Sequence, residues 1–139
     1  MTNFIENSRE MAQDGQVIKA GDWVAAGVSV TQRGGTCEVL FGARNDQYGG
    51  RCYVQNGGIN EQHAGECELH SGGHNKQYDG ISHVLEDGIN EQHDGACYVY
   101  YGGINEQHGG TCEVLFRGRS TQHGGTCEVR SGGRNDDRR

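Results

Sequence analysis

The run Gly102-Gly103-Ile104-Asn105-Glu106-Gln107-His108-Gly109-Gly110-Thr111-Cys112-Glu113-Val114-Leu115-Phe116 has close copies on both sides at a fixed spacing of 15 residues. Self-similarity at constant period marks an architecture in which one small unit stacks on the next. Aligning the copies sorts the positions into columns. Gln is uninterrupted at Gln32, Gln47, Gln62, Gln77, Gln92, Gln107 and Gln122. Cys recurs at Cys37, Cys52, Cys67, Cys97, Cys112 and Cys127, with Ser82 in the one gap. Val or Leu follows two residues later, from Val39 to Val129. Asn45, Asn60, Asn75, Asn90 and Asn105 each precede a Gln by two, Asn135 continues the column, and Val30 and Ser120 depart from it.

Spacing by two puts side chains on one face of a strand. Asn and Gln therefore share a face of one short strand, and Cys and Val share a face of a second. The positions between them change sign and size from copy to copy, as in Glu61, Lys76 and Glu91 or in Tyr53, Glu68 and His83, so they belong in water. Gly-Gly and Asp-Gly pairs mark the turns, and the chain has no Pro, which suits a backbone whose N–H groups are wanted for pairing. The class is all-β, and two architectures fit. One is a β-solenoid of about seven to eight 15-residue coils with two short strands per coil; the other is an antiparallel β-meander, for which the same turn pairs serve as hairpins. The Gln column favours the solenoid, because identical amides stacked in register can hydrogen-bond from coil to coil.

At the N-terminus, Asn3 and Glu6 have capping-box spacing, and Phe4, Ile5, Met11 and Ala12 fall on one helical face, which predicts a short helix within residues 1–15 that caps the first coil. Residues 16–139 form the repeat domain, regular over 31–135. Its first coil is degenerate, and Val24, 15 residues before Val39, is expected to start the Val column. The charged tail from Arg134 to Arg139 would blunt an exposed last edge.

With 32% hydrophobic residues and 25 Gly, the chain can fill a thin stacked core and no thick globular one. The net charge of −7 argues against direct nucleic-acid binding. Met1 to Gln13 lacks a basic start followed by an apolar run, and no stretch is apolar enough to span a bilayer, so a cytoplasmic protein without membrane contact is expected. On that reading the six Cys are reduced, buried small hydrophobes.

His63, His93, His108 and His123 each stand four residues before a Cys, a pattern that raises a metal-binding His/Cys array. The same column holds Arg33, Tyr48 and Tyr78 while Cys37 and Cys52 persist, so neither a metal nor another cofactor is expected there. Nucleophilic catalysis would need one Cys singled out by a base, and all six have equivalent surroundings. No enzyme is expected, and function is sought on the outer face. Candidates are the ridge Ile59, Glu61, His63, Ile89, Glu91, His93, Ile104, Glu106 and His108; the aromatic group Tyr53, Tyr98 and Tyr100 with Tyr101 and Phe116; and the acidic column Glu38, Glu68, Glu113 and Glu128. Exposed Tyr is enriched in binding surfaces. The partner expected is another protein or a surface polymer, with homo-oligomers through solenoid ends or edges as a further expectation. An alternative is an acidic, phage-encoded inhibitor that blocks the nucleic-acid channel of a host enzyme.

The segments Gly57-Gly58-Ile59-Asn60-Glu61-Gln62-His63 and Gly109-Gly110-Thr111-Cys112-Glu113-Val114 resemble the strand-loop-strand repeats of self-associating autotransporter adhesin passenger domains, over Thr31 to Asn135. The resemblance implies a β-solenoid used for adhesion.

Overall fold

Alternation of inward and outward side chains in four-residue strands leaves each unit one narrow apolar stripe and one narrow amide stripe, and neither can be buried by a single unit. Stacking resolves this. The computed structural model describes residues 10–139, and in it the chain winds into a β-solenoid of nine rungs whose two walls are parallel nine-stranded sheets. One wall, the Cys sheet, contains Glu10–Met11, Asp22–Ala26, Thr36–Leu40, Arg51–Val54, Glu66–Leu69, Ile81–Val84, Ala96–Val99, Thr111–Val114 and Thr126–Val129. The other, the Gln sheet, contains Gln16–Ile18, Ser29–Gln32, Arg44–Gln47, Ile59–Gln62, His74–Gln77, Ile89–Gln92, Ile104–Gln107, Arg119–Gln122 and Arg134–Asp137. Every neighbour is the equivalent strand of the next coil, in register, as in Asn90↔Asn105 and Cys97↔Cys112. The meander is thereby excluded. At the ~4.8 Å spacing of paired strands, nine rungs make a rod about 40 Å long.

The core is the two inward stripes. Cys37, Val39, Cys52, Val54, Leu69, Val84, Val99 and Val114 are buried from the Cys sheet, and every Gln from Gln32 to Gln122 is buried from the Gln sheet. From Asn45 to Asn105 each Asn side-chain amide of the column donates along and across the rod. Asn60 Nδ2 gives one hydrogen bond to Asn75 Oδ1 in the next coil, at 2.9 Å, and one to Gln47 Oε1 in the previous coil, at 3.0 Å. Asn75 and Asn90 repeat this, and each Asn Nδ2 also lies near the thiol or hydroxyl across the core, as Asn90 does with Cys97 Sγ at 3.4 Å. Each Gln turns its own N–H groups to the backbone: Gln77 Nε2 donates to the Gly80 and Ala96 carbonyls at 2.9 and 2.8 Å. The stacked Gln column is thus part of a composite ladder, in which Asn links amide to amide and Gln ties the amides to the corners.

Three buried acceptors have no partner: Asn45 Oδ1, Gln107 Oε1 and Asn135 Oδ1. All three trace to the two departures in the Asn column. Asn45 would accept from residue 30, which is Val30; Gln107 and Asn135 would both accept from an amide at residue 120, which is Ser120.

Two corner types close each coil. At the first, Gly110 has φ +79 and an added Cβ would lie 2.4 Å from the Gly95 carbonyl oxygen of the coil before. At the second, consecutive residues take positive φ, as in Asn56 (51) and Gly57 (87), and the Gly58 N–H closes the turn on the Gln55 carbonyl at 3.0 Å. That is the dihedral pattern of a type I′ hairpin turn, used here to join strands of opposite sheets.

Three expectations are corrected. There are nine rungs because Glu10–Met11 and Gln16–Ile18 form an additional first one. The helix expected over Thr2 to Ala12 falls mostly outside the described residues; within them there is no helix, and Met11 is strand, paired with Val24. Val24 does not start the Val column either. It pairs with outward Glu38, whereas Ala25 pairs with Val39 and is fully buried. This coil is one residue short, and a one-residue slip exchanges the faces of a strand. Trp23 then points inward with small Ala25, its indole N–H bound to the Ala20 carbonyl at 2.8 Å.

Buried acceptors left without a donor cost about 1–3 kcal/mol each. Ser120→Asn, which restores the donor to Gln107 and Asn135, is expected to raise unfolding free energy by about 1–3 kcal/mol in urea titration. Ser120→Ala should show no gain.

Candidate functional site

Because the inner columns are consumed by packing, recognition chemistry is confined to outward side chains, and the two sheets present two separate faces. The nine ridge residues lie together on the Gln sheet. Parallel register sets Ile59, His74, Ile89 and Ile104 in one row and Glu61, Lys76, Glu91 and Glu106 in the next. The Ile side chains are about two-fifths exposed (Ile59 40%, Ile89 39%, Ile104 41%). Tyr53, Tyr98 and Tyr100 are on the Cys sheet, so the candidate residues form two surfaces.

On the Gln-sheet side, the column that contains the histidines follows each Gln into the first corner. Its members stack ring on ring: Tyr48–His63 at 4.6 Å, His63–Tyr78 and Tyr78–His93 at 5.2 Å, His93–His108 at 5.3 Å and His108–His123 at 5.0 Å, all within 14° of parallel. The Arg33 guanidinium covers the Tyr48 ring at 5.4 Å. Arg, Tyr and His interchange here because each is planar, a shared property visible in the sequence once one asks what these residue types have in common. Sorted by charge or by metal-binding capacity, the column gives no sign of the stack. Ring faces are occupied by neighbouring coils, so the column offers solvent its edges and ring nitrogens.

Those nitrogens are directed at the acidic row. His93 Nε2 lies 2.9 Å from Glu91 Oε1, His108 Nε2 3.1 Å from Glu106 Oε1, and His63 Nε2 3.4 Å from Glu61 Oε1. The hydrogen bond from His93 holds the Glu91 carboxyl below its usual value, against the opposing effect of burial and with lesser help from the charges of Lys76 and His108. Lys76 Nζ is 3.8 Å from Glu91 and Arg44 3.9 Å from Glu61.

On the Cys sheet, Tyr98 stacks on His83 at 5.3 Å, and the Tyr100 hydroxyl lies 3.4 Å from His83 Nδ1. Tyr101 stacks on Phe116 at the adjacent corner, with centroids 5.7 Å apart. Phe41, Tyr101 and Phe116 all hold positive φ (38, 50 and 40), which is costly for bulky residues. Tyr53 stands apart, since Glu68 separates it from His83 in the register. The acidic column is interrupted by Tyr53, His83 and Tyr98, and cations meet acids on this face: Arg51 approaches Glu66 at 3.4 Å, and Arg130 pairs with Glu128.

The His and Cys columns do not meet. The imidazoles line an outer edge, while Cys37, Cys52, Cys67, Cys97 and Cys112 are free and buried inside the other wall. Burial is the main cause that pushes the Cys37 thiol up to about 12, helped by Cys52 and Glu38. A thiol raised in this way is protonated and a poor nucleophile at neutral pH. Among the described residues, one group of His, Cys and acidic side chains could converge on a metal ion, and it contains no Cys: Glu91, Glu106 and His108.

No protein-family model, curated protein or solved structure matches this chain.

A thiol reagent such as DTNB is expected to label half-buried Cys127 first, and slowly, because burial and the neighbouring Cys112 push its pKa up to about 12. The other five thiols should react only with unfolding, measured by mass spectrometry of native and guanidinium-treated protein.

Proposed function

We propose that the protein is a non-enzymatic repeat module that binds another macromolecule, a protein or a surface polymer, through the outer face of its Gln sheet. One observation carries this reading: the row Ile59, His74, Ile89 and Ile104, three part-exposed Ile with one His among them, beside a row of charges of both signs. A shallow depression lies on that face, lined by Ile59, Glu61, His74, Lys76, Ile89 and Glu91. Apolar side chains flanked by charges provide contact area and orientation together. Repetition at strand spacing turns weak single contacts into a multivalent one. Backbone ladders, the amide core and the ring stack hold the rows rigid, so little ordering entropy opposes binding.

The row geometry agrees with the adhesin-like use implied by the repeats. The acidic-inhibitor reading receives less support. A mimic of nucleic acid needs an extended acidic field, and here Arg44, Arg51, Lys76 and Arg130 pair with the acids at intervals along both sheets.

Immobilised wild type and the double variant Ile89→Lys, Ile104→Lys should be compared after both show the same circular dichroism and melting temperature. A partner retained by the wild type is expected to be lost by this variant and kept by Tyr53→Ala, Tyr98→Ala on the opposite face. Loss caused by the Tyr variant alone would move the function to the Cys sheet, and retention by all three would remove it from both.

A further inference from the structure

Only once do two identical Ile-Asn-Glu-Gln-His strands occupy adjacent rungs, at Ile89 to His93 and Ile104 to His108, with Thr121-Gln122-His123 in the rung after. Parallel register pairs Glu91 with Glu106, acid beside acid. Like charges placed side by side repel, and the compensation is uneven. Lys76 reaches Glu91 at 3.8 Å, whereas among the described residues Glu106 meets only imidazoles, His108 at 3.1 Å and His123 at 4.0 Å. The donor atoms of Glu91, Glu106 and His108 all lie within 4.8 Å of one another.

We propose that Glu91, Glu106 and His108 form a surface site for a divalent transition-metal ion of the zinc and nickel class. The donor set, one imidazole and two carboxylates, matches the ligand preference of these ions. Two donors bound to one such ion at about 2.0–2.2 Å lie roughly 3.0–3.5 Å apart, and the His108 Nε2 to Glu106 Oε1 separation of 3.1 Å has this span. An ion there replaces the proton that His108 shares with Glu106 and neutralises both carboxylates. The ring is held in place for it, stacked between His93 and His123. Glu61 and His63 supply an internal comparison: the following rung gives Lys76 and Tyr78 in place of a second acid and a second imidazole, and Arg44 already pairs with Glu61. The site shares Glu91 and Glu106 with the charge row of the face proposed above, but uptake of the ion needs neither the Ile row nor a partner, so the two readings fail separately.

The test is isothermal titration of tag-free protein with zinc chloride and with nickel chloride. Wild type is expected to take up one ion per chain saturably. His108→Gln and Glu106→Gln should each weaken binding by at least about tenfold, the scale on which ligand-shell changes act, while His63→Gln binds as wild type. The titrations are run at a temperature at which circular dichroism shows all four proteins folded, because His63 and His108 each stack between two rings and their loss can lower the melting point. No saturable uptake by wild type, unchanged binding in His108→Gln, or equal loss in His63→Gln would each overturn the site.

Discussion

Burying a carboxamide without partners costs several kcal/mol, and this protein buries one from Asn and one from Gln in each successive coil from Asn45 and Gln47 to Asn105 and Gln107. The whole fold depends on how those groups are satisfied. An Asn donates one N–H along the rod to the next Asn and the other to the Gln of the previous coil; that Gln donates both of its N–H groups to backbone carbonyls, one in its own corner and one in the following coil. Every bond that crosses between coils works only if the coils are in register and 15 residues apart. The apolar stripe cannot impose this, because Cys and Val pack nearly as well after a slip along the rod. The amides therefore set the period, and the Cys and Val columns fill what space remains.

The corners obey the same constraint from the backbone side. Coils stacked at strand spacing bring carbonyl oxygens so close to the turn above that a Cβ at Gly103 would sit 2.2 Å from the Val84 oxygen. Where the sequence departs from Gly at the second type of corner, it does so at positions whose side chains escape to solvent, and there it accepts unfavourable dihedrals, as at Asp87 (φ 67) and Arg117 (φ 71). Strain of this kind costs of order 1–2 kcal/mol per residue. A rod held by ladders on both sheets can absorb it at a few places, which gives the outer surface freedom to vary while the inside stays fixed.

That division explains how far the sequence could be read. Columns that never vary, Gln32 to Gln122 above all, announce burial and register without any structure, and so the stacked architecture and the inward and outward faces were legible. The first coil was not, because Trp23, Val24 and Ala25 offer two apolar registers one residue apart, and the choice rests on the fit of Trp23 and Ala25 into the end of the core. The two candidate faces looked like one set because sequence spacing does not tell which wall a strand joins until the coil is closed. Tyr98 and Glu91 are seven residues apart in the chain and lie on different sheets.

The ring column carries the least obvious lesson. A column of Arg, Tyr and His looks variable if residues are sorted by charge, and uniform if they are sorted by shape. Stacking at about 5 Å uses both faces of each inner ring, so aromatic surface that would otherwise take up a sugar or a base is already occupied by the protein itself. What remains outward is the ring edge with its nitrogen or hydroxyl, next to a row of carboxylates. Recognition along this edge must then be polar and directional, by hydrogen bonds or by coordination, while apolar contact is left to the Ile row beside it. The same planar stack that stiffens the corner thus sets the chemistry of the surface it borders.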